Sequence, residues 1–112
     1  MAIILNGTLT ADGNTSGANI NNPNNGANIF QVVYASGDFG SGTLTVQISN
    51  DGGTTWYAAT DSTGDVTLTD DGAVRTFLLG SNNPVSTTQV QIRLNLASST
   101  NPDIDYIIAD AR

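Results

Sequence analysis

Residues 88–97, TQVQIRLNLA, alternate strictly between apolar and polar side chains. Val90, Ile92, Leu94 and Leu96 share one parity, and Gln89, Gln91, Arg93 and Asn95 share the other. A period of two puts the two sets on opposite faces of a strand, whereas a helix would scatter them around its circumference. Residues 43–49, TLTVQIS, repeat the pattern, with Leu44, Val46 and Ile48 inward and Thr45 and Gln47 outward. Residues 104–111 repeat it again through Ile104, Tyr106 and Ile108. Strands with one apolar face must bury it against a second layer, and several of them at near-regular spacing point to an antiparallel sandwich or barrel.

The rest of the chain agrees. All ten acids are aspartates, all three basic residues are arginines, and glutamate and lysine are absent. The usual helix formers are therefore scarce, while Thr, Val and Ile alternate with Asn, Asp, Gly and Ser. Residues 29–35, IFQVVYA, are apolar on both faces and predict a central strand. Residues 3–9 predict a first strand, with Asn6-Gly7 marking a bulge or kink. Residues 55–60 return the chain after residues 43–49, and Val66 and Leu68 mark a short strand ending in a hairpin turn at Asp70-Asp71-Gly72. In residues 74–79, Phe77 and Leu79 share a face with Arg75, which requires a bulge or an edge position. Residues 12–28 are turn-forming and carry GANI twice, at 17–20 and 26–29. They read as a polar loop or arm with Ile20 and Ile29 as its apolar anchors. The expectation is one domain over residues 1–112: an antiparallel β-sandwich, jelly-roll-like or Ig-like, of seven or eight strands.

A net charge of -7 argues against nucleic acid and anionic membrane surfaces as partners. Charged residues are 12% of the chain, against about 25% in an ordinary domain. The surface is then mostly neutral and polar, with little charge to oppose packing against neighbouring subunits. Without cysteine there is no disulfide framework. The N-terminal MAIILNG lacks a basic region, and its apolar run is too short for a signal or membrane segment. With no His, Cys, Lys or Glu, the means of acid–base or nucleophilic catalysis reduce to Asp, Tyr, Ser and Thr, and no local pattern pairs them. The expectation is a protein that is not an enzyme and carries no cofactor or metal. Asp61 with Asp65, Asp70 with Asp71, and Asp103 with Asp105 lack the spacing of a calcium loop and read as turn formers. Trp56, Tyr57, Tyr34 and Tyr106 are candidates for a sugar-stacking platform, but core packing or surface filling is the favoured reading. Tyr57 is expected to face solvent because its parity opposes that of Trp56.

Residues 49–56, SNDGGTTW, place Ser49, Asp51, Gly52, Gly53, Thr55 and Trp56 in a spacing with a mechanical reading. Asp51 accepts backbone amides ahead of it, Gly52 and Gly53 supply positive φ, and Ser49 and Thr55 flank the turn. Trp56 is expected to lie under the hairpin and seal the end of the core. The stretch resembles the Asp-box of sialidase propellers, where that hairpin is structural and lies away from the catalytic arginines, tyrosine and aspartate. Those propellers need about four to eight blades, and this chain could supply two. The resemblance therefore implies a structural hairpin and carries over no catalytic residue.

A second resemblance spans more of the chain. A strand, then SNDGGTTWYAA, a Gly/Asp-rich gap, a V.L..DG hairpin and the late VQIRLNL strand resemble small β-sandwich accessory proteins of tailed bacteriophage virions. That likeness implies a non-enzymatic capsid decoration or cement protein, made in the host cytoplasm and carried in the virion. It also implies the major capsid protein and further copies of the chain as partners, with a homotrimer as the favoured assembly. Ile20, Phe39, Arg75 and Arg93 are the candidate interface residues. A carbohydrate-binding β-sandwich module, or a neck, tail or fibre component, is the alternative.

Overall fold

The computed structural model describes residues 2–20, 29–79 and 90–110. Among these, the long strands are β1 (Ala2–Leu9), β4 (Ile29–Asp38), β5 (Thr43–Ser49), β10 (Ala73–Leu79), β11 (Gln91–Ala97) and β12 (Asp103–Asp110). Two-residue strands lie between them: β2 (Gly13–Asn14), β3 (Ala18–Asn19), β6 (Tyr57–Ala58), β7 (Thr60–Asp61), β8 (Gly64–Asp65) and β9 (Thr67–Leu68). All pairings are antiparallel.

One sheet has the order β1-β12-β4-β10. The second is built on the β11–β5 pair, with β2 and β3 on the free side of β11 and β6 and β9 on the free side of β5. Each pair of short strands is one interrupted edge strand. Thr15 N–H to Leu94 O and Ile20 N–H to Val90 O, both at 2.9 Å, continue the first edge past its breaks. Ala59 N–H to Val46 O at 2.8 Å continues the second, and there the β7–β8 hairpin is looped out of line. With each interrupted edge taken as one strand, the described chain winds through eight. They fall in the spatial orders 1-8-3-6 and 2-7-4-5, the winding of a jelly roll rather than of an immunoglobulin domain.

The core lies between the two sheets. Leu44, Val46 and Ile48 stand opposite Leu96, Leu94 and Ile92 along the β5–β11 ladder, and all six are fully buried. The facing sheet contributes Val33, Ala35, Phe77, Ile104, Tyr106 and Ile108. Burying one such aliphatic side chain stabilises the fold by about 1.5–3 kcal/mol, so the alternation read from sequence accounts for most of the driving force.

The irregularity in β1 falls between Ile3 and Leu5, not at Asn6-Gly7. Gly7 instead pairs with Tyr106, whose ring lies where a Cβ at Gly7 would be. Residues 12–20 are not a free arm, because β2 and β3 are stitched to β11. Residues 21–28, with most of the second GANI, and residues 80–89 lie outside the described residues. The turn at residues 70–72 closes through Ala73 N–H to Asp70 O at 3.1 Å, but it is not a hairpin. It carries the chain from β9 in one sheet to β10 in the other. The β10–β4 register runs without a shift, so Arg75 is accommodated by the edge position of β10 rather than by a bulge.

Candidate functional site

Inside the SNDGGTTW turn, Asp51 Oδ1 accepts the Ser49 hydroxyl at 2.7 Å and the backbone N–H groups of Thr54 and Thr55 at 3.0 and 2.9 Å. The buried Ser49 hydroxyl oxygen accepts Gly53 N–H at 2.9 Å. Gly52 and Gly53 hold φ of 78° and 100°, as this geometry needs. The donors, Thr55 N–H foremost and then the Ser49 hydroxyl, hold the Asp51 carboxyl at about 2, below its ordinary 3.8. The carboxylate is consumed by the turn.

Trp56 is not where the sequence pointed. The β5–β6 register sets Tyr57 opposite Ile48 and Ala58 opposite Gln47, so Tyr57 takes the core side. Tyr57 packs on the core, and its hydroxyl accepts Asn50 Nδ2 at 2.9 Å. Burial raises its phenol above the usual 10.0. Trp56 falls on the outer face of the second sheet, where its Nε1–H donates to Gly53 O at 3.0 Å. The Arg93 guanidinium stacks on the indole at 4.1 Å from the ring centroid, and Arg93 Nε donates to Gln47 Oε1 at 2.7 Å. Partial desolvation there lowers the Arg93 pKa from its ordinary value. Amide pairs extend this face: Asn95 Nδ2 to Asn14 Oδ1 at 2.8 Å, and Gln91 Nε2 to Asn19 Oδ1 at 3.0 Å.

The four residues expected at an interface are committed within the chain. Ile20 and Phe39 are only 6% and 5% exposed and belong to the core, so they are not anchors offered to a partner. Arg75 bridges the two sheets, donating from Nη1 to Thr67 O at 3.0 Å and pairing through Nη2 with Asp61. Asp61 also accepts the Thr63 hydroxyl at 2.6 Å and Thr63 N–H at 2.8 Å. With Thr63 first and Arg75 second, its carboxyl is held well below the usual range. Asp71 accepts Gly37 N–H at 2.8 Å and Asp105 accepts the Thr8 hydroxyl at 2.7 Å, both structural uses of aspartate. Among the described residues there is no pocket and no cluster of three or more acids that could hold a metal ion.

The surface that sequence reading missed is the outer face of the four-stranded sheet. Register puts Val74, Tyr34 and Ile107 side by side across β10, β4 and β12, exposed by 55%, 39% and 37%. The next row, Thr76, Val32, Ala109 and Ile3, ends at a side chain 60% exposed. The second apolar parity of residues 29–35 was the available signal. It reflects an uncovered face as much as a central position. Toward the other end of the same face lie Asp38, Asp103 and Asp105. Compared with protein-family models, curated proteins and solved structures, the chain matches none of them, so its functional reading stands on these residues.

Proposed function

We propose that the protein is a non-enzymatic virion structural protein, a capsid decoration or cement subunit that binds the capsid surface and self-associates. The observation that carries the reading is the exposed apolar face of β10, β4, β12 and β1, with Ile3 and Val74 more than half exposed. Exposed apolar side chains that join into one patch on an outer sheet face are a recognised mark of an interaction surface. The low charge and the phage-like layout of the chain support the same reading. A jelly roll is also at home in capsid and lectin domains, which is agreement of fold and not of function. The test is sedimentation of the purified chain with capsids that lack it, together with its mass in solution. Binding and a defined oligomer are expected. A monomer that leaves such capsids bare would end the proposal.

A carbohydrate-binding module is the second reading, favoured by Trp56 and the amides of Asn14, Asn19, Gln47, Gln91 and Asn95 on one face. Against it, Arg93 already occupies a face of the indole. A glycan array, with and without calcium, discriminates between the two.

A further inference from the structure

The outer face of the four-stranded sheet has two zones. Val74, Tyr34, Ile107 and Ile3 make its apolar half. Along β12 and β4, two to four residues away, Asp103 stands directly opposite Asp38, with Asp105 next on the same parity. That separation is about 7–14 Å at the strand rise. Like charges directly opposite one another across a ladder repel and cost stability. Both described cations are elsewhere, Arg75 between the sheets and Arg93 on the opposite outer face. No described cation offsets that pair, although Asp38 Oδ1 accepts Gly40 N–H at 2.8 Å and Asp105 Oδ1 accepts the Thr8 hydroxyl at 2.7 Å.

We infer that this face docks a protein surface whose apolar centre is flanked by lysine or arginine, so that Ile107, Tyr34 and Val74 meet the apolar part and Asp38, Asp103 and Asp105 meet the cations. The occupant is a different protein. A second copy brings the same carboxylates and a net charge of -7, and with Arg75 and Arg93 already engaged it offers this face no uncommitted cation among its described residues. The identity of the partner as a capsid protein rests on the reading above, but its chemistry does not. Self-association, where it occurs, uses other surfaces.

The informative variant is Asp103→Lys, which replaces a repulsive pair with an attractive one opposite Asp38. It is expected to melt no lower than the parent while binding falls about tenfold or more, since cross-interface like charges are costly. Val74→Ser, on the edge strand, is expected to weaken binding by a smaller factor without loss of fold. Binding is measured by cosedimentation with assembled coat shells, at low and at raised salt. Capture by the parent, weakened in both variants and more strongly by Asp103→Lys, supports the inference. Capture unaffected by either variant overturns it and leaves the capsid reading standing. If the parent itself fails to bind shells, the capsid reading fails, and a peptide of alternating leucine and lysine becomes the probe, followed by amide chemical shifts. Shifts centred on Tyr34, Ile107 and Asp105 and lost in Asp103→Lys support the inference, and no shifts on this face overturn it. A parent oligomer that Val74→Ser converts to monomer also overturns it, by assigning the face to a second copy.

Discussion

The Arg93 guanidinium rests on the face of the Trp56 indole, 4.1 Å from its centroid, on the wet side of the β11–β5 sheet. The largest apolar side chain in the Asp-box-like stretch thus covers a polar sheet face instead of the core. Its stabilising contribution is that of a surface cation–π contact, partial burial and the Nε1–H bond to Gly53 O.

Trp56→Ala is accordingly expected to cost about 1–2 kcal/mol, not the 3–5 kcal/mol of an emptied core site. Arg93→Met should cost less than 1 kcal/mol alone, roughly, and the double variant should fall short of the sum by about 0.5–1 kcal/mol. Urea denaturation of the four proteins measures this. Full additivity would mean that the stacking contributes nothing.

Asp51 makes the turn sensitive to acid. Its folded carboxyl titrates at about 2 against 3.8 ordinarily, so folding favours the ionised form. That contribution is complete above the ordinary value and is lost as pH falls through 3.8 toward about 2. Asp61, lowered in the same direction, adds to the loss. The melting temperature of the parent should drop across this window. Asp51→Asn should start lower at neutral pH and converge with the parent in acid. Parallel melting curves down to the acid limit would show that the Asp51 hydrogen bonds do not stabilise the folded state.

Ser49 is buried and is the hub that accepts Gly53 N–H while donating to Asp51. Ser49→Ala leaves that N–H without its partner and should cost about 1–3 kcal/mol. Ser49→Thr keeps the hydroxyl, but it must place a methyl in a buried site. Thermal melts of both variants separate the loss of a hydrogen bond from crowding.

Gly37 sits opposite Ile104 with φ of 113°, and a Cβ there would overlap the Asp103 carbonyl oxygen. Gly37→Ala faces both backbone strain and a clash with main chain, and should cost about 2–4 kcal/mol. An alanine variant as stable as the parent in chemical denaturation would show that β4 and β12 separate here without penalty.

Arg75 holds the β7–β8 hairpin to the edge of the other sheet through Asp61 and Thr67 O. Arg75→Lys keeps the charge but lacks the fork that reaches both acceptors. Hydrogen exchange at residues 60–65 is expected to speed up while β5 and β11 amides remain protected. Unchanged exchange in the hairpin would mean that the bridge does not restrain it.

Much of this molecule is legible in its sequence because alternation is a local signal. The bounds of β5 match those read from TLTVQIS, and Leu44, Val46, Ile48, Ile92, Leu94 and Leu96 occupy the core as their parity requires. The Asp51 turn was legible too, since its hydrogen bonds close within seven residues. Strand pairing is not local. Asn14 and Asn19 read as loop because nothing near them in sequence announces Asn95 and Gln91, their partners across β11.

By itself, then, the sequence determined that the chain is all β, which side chains share a face, and where the tightest turn lies. Only the tertiary structure decided which face meets the other sheet. Parity groups residues within a strand, but it cannot carry their orientation across an irregular turn. That is why Tyr57 and Trp56 exchange the sides expected of them. The same fact explains Ile20, held through its N–H to Val90 O, and Phe39, which follows Asp38, the β4 residue paired with Asp103. It also explains the apolar rows of Val74, Tyr34 and Ile107. Three separate strands bring these into register on a face that the chain's own described residues leave uncovered.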